Sequence, residues 1–115
     1  MSADDDLNAA FSALAHPARR TILNRLAQGE ASVNMLAEPL EMSLPAVSRH
    51  IRVLEEAGLI KREKDAQFRV CSIRPQPIQD IANWTEQYRH IWDARFDVMG
   101  TLLNEMQESK DESGQ

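Results

Sequence analysis

A chain of 115 residues with 43% hydrophobic and 27% charged side chains has the composition of one ordinary globular domain. It holds no apolar run near the ~20 residues that span a bilayer, and its single cysteine, Cys71, excludes an intrachain disulfide framework. The net charge of −5 is unevenly spread: residues 1–42 carry three basic and six acidic side chains, residues 43–74 seven and four, and residues 75–115 three and eight. The middle third is therefore net positive, and for binding a polyanion the distribution matters more than the sum.

The acidic start MSADDDLNAAF lacks the basic and apolar regions of a signal peptide, so a cytoplasmic chain is expected. Residues 1–5 read as frayed. Leu7, Ala10, Phe11 and Leu14 follow at helical spacing and predict a short first helix. Pro17 suits the first position of a second helix, where its missing N–H costs nothing. Ile22, Leu23 and Leu26 form the apolar stripe of that helix, and Gly29 stops it. Ser32 is placed to cap a short third helix, with Val33, Leu36 and Ala37 facing inward; Leu40 and Met42 close the turn that follows.

Ser43 is the next N-cap, Pro45 is tolerated in the first turn, and a fourth helix is predicted to about Ala57, where Gly58 ends it. Leu59–Lys64 and Gln67–Ile73 read as two short strands. Cys71 shares a strand face with Ile73 and is expected to pack as a small hydrophobe. Pro75 and Pro77 end the second strand, and a long helix is predicted from about Ile78 to Met106. The mainly α order, helix-helix-helix-helix-strand-strand-long helix, describes a winged helix-turn-helix. Residues 1–108 are expected to form this domain and residues 109–115 a disordered polar tail.

On the fourth helix, Leu44, Val47, Ile51 and Leu54 fall on one face, which needs a core. Pro45, Ser48, Arg49, Arg52 and Glu56 fall on the other, which is small and basic over its first half. A recognition helix needs this arrangement. Its N-terminal half enters the major groove and must be slim and carry donors. Arginine pairs with guanine O6 and N7 or holds a phosphate, and Ser43 with the first free N–H groups can meet a phosphate. The expected DNA contacts are thus Ser43, Pro45, Ala46, Ser48, Arg49, His50 and Arg52 on the helix, with Arg62, Lys64 and Arg69 on the hairpin. His50 lies toward the flank, where a satisfied, partly buried histidine is an equal reading.

The stretches ALAHPARRTILNRLAQGE, SVNMLAEPL and SLPAVSRHIRVLEEAGLIKREKD resemble the ArsR-type bacterial transcriptional regulators, over roughly residues 7–107. The resemblance implies a homodimer that binds a palindromic operator and represses, with Ser48, Arg49 and their neighbours reading bases and the hairpin acting as the wing. The arsenic and metal sensors of that family carry a Cys-x-Cys pair in the third helix, absent from SVNMLAEPL. Other members bind zinc on the last helix through an Asp-x-His…His-x-x-Glu set; here that helix offers Asp80, His90 and Asp93 without a second histidine. His16, His50 and His90 lie on three different predicted elements, whereas a transition metal wants converging ligands. No metal site and no cofactor is expected. The wing tip KDAQF is also less basic than in many relatives.

Along the last helix, Ile81, Trp84, Tyr88, Ile91, Arg95, Val98 and Leu102 recur at alternating three- and four-residue steps, and Trp92, Phe96, Met99, Leu103 and Met106 widen the stripe. That width exceeds what one face of a small core covers, and aromatic and methionine residues are typical of interface cores. The expected dimer interface is Trp84, Tyr88, Ile91, Trp92, Arg95, Phe96, Met99, Leu102, Leu103 and Met106, with Leu7, Phe11 and Leu14 of the first helix alongside. A ligand pocket lined by Trp84, Tyr88 and Trp92 is the rival reading. The acidic surplus of residues 75–115 would keep the dimer end off DNA.

The functional expectation is a sequence-specific DNA-binding regulator with double-stranded operator DNA and a second copy of itself as partners. Two alternatives stay open: a sensor of the same fold responding to a small ligand or to thiol oxidation, and a protein-interaction module that has lost DNA binding. No glycine-rich phosphate loop, nucleophile with a neighbouring base, or close carboxylate pair suggests an enzyme.

Overall fold

The computed structural model describes residues 3–65, 68–93 and Met106. The chain divides into two compact units, Met1–Ala82 and Asn83–Gln115. No helix among the described residues is long and apolar enough to cross a membrane.

In the first unit, helices α1 (Ala3–Leu14) and α2 (Pro17–Leu26) are followed by a two-residue strand β1 (Ala31–Ser32) and helix α3 (Val33–Ala37). Helix α4 (Leu44–Glu56) then leads into the hairpin β2 (Ile60–Asp65) and β3 (Phe68–Ile73), and after Arg74 comes α5 (Pro75–Glu86), whose residues from Asn83 on belong to the second unit. The antiparallel sheet has the order β1-β3-β2. Ala31 lies opposite Cys71, and Ile60 opposite Ile73. Four helices, a hairpin and a small sheet make a winged helix-turn-helix.

Local chemistry accounts for each boundary. Asp4, Asp5 and Asp6 sit in the first turn of α1, where carboxylates favour the positive end of a helix. Residues 3–5 are therefore helical, contrary to the frayed start expected of them. The carbonyls that α1 leaves free at its other end are taken by α2: Arg19 donates to Ala13 O and Ser12 O, and Arg20 to Leu14 O at 2.7 Å. His16 caps α2, its Nδ1 accepting from Ala18 N at 3.1 Å, with Pro17 in the first turn. Ser32 and Ser43 cap α3 and α4 by accepting from Met35 N and Ala46 N.

Gly58, at φ +78°, ends α4. Leu59 N donates to Leu54 O and Gly58 N to Glu55 O, both at 3.0 Å; this is the paired bonding of a Schellman cap.

One core joins these elements: Ala10 and Ala13 of α1, Ile22, Leu23 and Leu26 of α2, Leu36 of α3, Val47, Ile51 and Leu54 of α4, with Ala31, Leu59, Ile60 and Cys71. Leu14, Val33, Ala37, Leu40, Ile73 and Ile81 pack against it part-buried. Leu44 does not join. It was expected on the core face of α4 but is 48% exposed, because it is the first residue of the helix and projects beyond the packed turns. Strand β1 was not expected either, since two residues are too short to show an alternating pattern.

The long helix expected from Ile78 to Met106 is corrected twice. Helix α5 begins at Pro75, because both prolines fit the first turn. It ends at Glu86, and a short helix α6 (Arg89–Trp92) follows. The break has a local cause in the second unit. Gln87 Nε2 donates to Trp84 O, the carbonyl that Tyr88 N would meet in a continuous helix, and Tyr88 N turns to Thr85 O at 2.9 Å. Arg89 holds the break, donating to both carboxylate oxygens of Glu86 and to Asp93. Arg95, Phe96, Val98, Met99, Leu102, Leu103 and the tail 109–115 lie outside the described residues, as do Ala66 and Gln67 at the wing tip. Met106 is helical and exposed.

Candidate nucleic-acid interface

Helix α4 presents two unlike faces. Val47, Ile51 and Leu54 are fully buried, while Ser43, Leu44, Pro45, Arg49 and Arg52 are exposed and Ala46 and Ser48 half-buried. The core residues fix the helix and leave its polar side to solvent. Ser43 spends its oxygen on Ala46 N but keeps its hydroxyl hydrogen to donate. Among the described residues Arg49 and Arg52 enter no ion pair, so both guanidinium groups stay available to an anion.

His50 is placed on the inner flank, not with those arginines. Its ring lies 4.3 Å from that of His16, tilted by 46°, and its Nδ1 is 3.3 Å from Arg19 Nη1. Arginine only donates, so Nδ1 is the acceptor and Nε2 carries the hydrogen. Burial, then the neighbouring His16, Arg19 and Arg49, lowers the pKa of His50. The sequence put His16 and His50 on separate elements; the fold brings them into contact as a link between α2 and α4.

The hairpin divides its cations. Lys64 and Arg69 are exposed partners in the antiparallel register, side by side on the wing. Lys61 pairs with Glu63 at 3.1 Å on the surface. Arg62, expected to reach DNA with Lys64 and Arg69, turns instead to α4, where Nη2 donates to Glu55 Oε1 at 3.0 Å. Its side chain is 18% exposed, and its Nε is buried without a hydrogen-bond partner. The hydrogen bond from Arg62 holds the Glu55 carboxyl below the usual range, and Glu55 in turn raises the Arg62 pKa. Sequence reasoning missed this pair, since a seven-residue separation across a helix-to-strand corner has no periodic signal. Burial pushes the Cys71 thiol up, which leaves it in the unreactive protonated form.

Several of the residues expected at a dimer interface are exposed where they are described. On the first unit Phe11 is exposed, Leu7 half-buried, and Leu14 packed on the core. On the second, Trp84, Tyr88, Ile91 and Trp92 are all exposed. The Trp84 and Tyr88 rings lie 5.3 Å apart, and the Arg89 guanidinium sits 5.5 Å from the Trp92 ring centre.

Comparison with known proteins agrees with this geometry. A family model described as a helix-turn-helix domain matches residues 14–63. The chain is 33% identical over 78 residues to the transcriptional repressor SdpR of Bacillus subtilis, covering 68% of this chain and 87% of that protein. Among solved structures, it resembles that of an ArsR family transcriptional regulator with a TM-score of 0.71 and 36% identity, over 81% of this chain and 96% of the other. It also resembles the homodimeric winged helix-turn-helix DNA-binding domain of Mb0332 from Mycobacterium bovis, with a TM-score of 0.61 and 25% identity, over 76% and 82% of the two chains.

Proposed function

The chain belongs to the ArsR family of winged helix-turn-helix DNA-binding transcriptional regulators, and on that premise we propose that it acts as a homodimeric repressor at an inverted-repeat operator. Helix α4 is the reading element. Arg49 and Arg52 address guanine edges or phosphates, Ser43 and Ser48 donate to phosphates or bases, and Pro45 and Ala46 keep the entering end slim. Lys64 and Arg69 hold a phosphate from the wing. Arg62 and His50 act one step back, orienting wing and helix. The observation that carries this reading is Arg49 and Arg52, exposed and in no ion pair among the described residues, on a helix whose opposite face buries Val47, Ile51 and Leu54.

The dimer is formed through Phe11 and Leu7 of α1 and the apolar residues of α5 and α6, joined by Arg95, Phe96, Met99, Leu102, Leu103 and Met106. Exposed aromatic and aliphatic side chains of this density are typical of interface cores. A twofold dimer sets two α4 helices one DNA turn apart, roughly 34–36 Å. Residues 1–108 constitute the binding and dimerisation domain.

Binding to promoter-region DNA over a salt series, with random DNA as competitor, tests the proposal. Specific binding with a steep negative salt slope is expected, and Arg49→Ala should lose on the order of 1–3 kcal/mol of sequence preference. Equal affinity of the wild type for both DNAs, unchanged in Arg49→Ala, would refute it.

A further inference from the structure

Helix α4 carries an exposed apolar side chain at its N-terminus, at the edge of its core stripe. Leu44 is 48% exposed, and Met42 and Pro45 beside it are exposed as well. The buried side of the helix is already filled by Val47, Ile51 and Leu54, so Leu44 adds nothing to the core. By the helical period it belongs to the stripe of Val47 and Ile51, but it lies at the exposed N-terminal edge of that stripe, one turn before Val47 and Ser48. Helical side chains lean toward the N-terminus. The isobutyl group of Leu44 is therefore the foremost part of the end that enters a groove.

A leucine cannot bond to a phosphate or to the polar edge of a base. In the major groove the one apolar feature of a standard base pair is the C5-methyl of thymine. We propose that Leu44 is a specificity-determining residue that reads a thymine methyl in each half-site of the operator. Arg49 follows five residues later and lies ~140° around the helix, so Leu44 and Arg49 would address different bases. The inference rests on the proposal that α4 reads DNA, and it adds the chemistry of one base.

The test begins with an operator selected from a pool of random duplexes by the full chain. Each thymine is then replaced by deoxyuridine, symmetrically in both half-sites, which deletes the methyl and keeps every hydrogen-bonding group. Fluorescence anisotropy measures binding by the wild type and by Leu44→Ala. One thymine should stand out, its replacement weakening the wild type about fourfold per half-site, the transfer free energy of one buried methyl group. Leu44→Ala should bind the thymine and uracil duplexes equally. A flat scan on an operator that the wild type binds specifically overturns the inference and leaves the regulator reading intact. So does a uracil penalty of the same size in Leu44→Ala. Failure of the selection to enrich any sequence would sink both.

Discussion

Replacing Arg62 by alanine separates two roles that its charge alone leaves open, contact with DNA and support of the wing. The guanidinium lies 3.0 Å from Glu55, with side-chain exposures of 18% for Arg62 and 36% for Glu55. An exposed pair contributes about 0–1 kcal/mol, and breaking a fully buried one costs about 3–5 kcal/mol. A part-buried pair with one good hydrogen bond falls between, so Arg62→Ala should cost about 1–2 kcal/mol. For a domain of this size that lowers Tm by roughly 4–8 °C per kcal/mol. Because Glu55 already neutralises Arg62, the salt slope of DNA binding should barely change. Lys64→Ala, which removes an exposed wing cation, should leave Tm alone and reduce the slope by about one. The same pair predicts a pH effect. The carboxyl of Glu55 is held below its ordinary value, so the stability it adds is present above about pH 4.5 and is lost as pH falls through its lowered pKa. Glu55→Gln should flatten that part of the profile. Thermal unfolding over pH and anisotropy over salt provide both readouts. An Arg62→Ala protein with unchanged Tm and a slope reduced as in Lys64→Ala would refute the reasoning and return Arg62 to the DNA.

Three further outcomes follow from the same geometry. Gly58→Ala places a Cβ at φ +78° and should destabilise by about 1–2 kcal/mol in chemical denaturation, although the added Cβ would meet Pro77 Cγ only at an ordinary 3.8 Å. His50 has a lowered pKa, so protons bind the unfolded chain more readily: stability should be full above about pH 6.5 and fall as pH drops from there toward the lowered folded pKa. His50→Gln should remove that dependence in pH-resolved melting curves. Cys71, fully buried with a raised pKa, should resist a disulfide reagent in native buffer and react on addition of denaturant; rapid native labelling with loss of DNA binding would revive the redox-sensor reading.

What was legible in the sequence was mostly punctuation. Pro17, Ser32, Ser43 and Gly58 act through their own backbone and the next few amides, so single residues mark where α2, α3 and α4 begin and end. The stripe Val47, Ile51 and Leu54 was readable because a helix repeats every 3.6 residues. Leu44 obeyed the same period and still ended in solvent, since the period says nothing about whether a partner reaches the first turn. The His16–His50 contact and the Glu55–Arg62 pair join elements through tertiary geometry, which no local pattern encodes. The break at Gln87–Tyr88 depends on a glutamine side chain winning a carbonyl from a backbone amide, a competition too close to judge from composition.

Leu59 has a consequence beyond its place in the core. Its amide is bound to Leu54 O of α4, its carbonyl accepts from Arg74 N at 2.8 Å, and α5 begins at the very next residue, Pro75. The last turn of α4, the far end of the wing and the start of α5 are thus pinned at one residue, Leu59, with no slack residue between them. A crank of this kind carries torque. A small rotation of α5 about Pro75 would have no spacer in which to dissipate and would pass through Leu59 to the end of α4. Substitutions at Arg74 or Pro75, which touch no base, would then alter operator affinity by changing the angle at which the two reading helices of a dimer are presented.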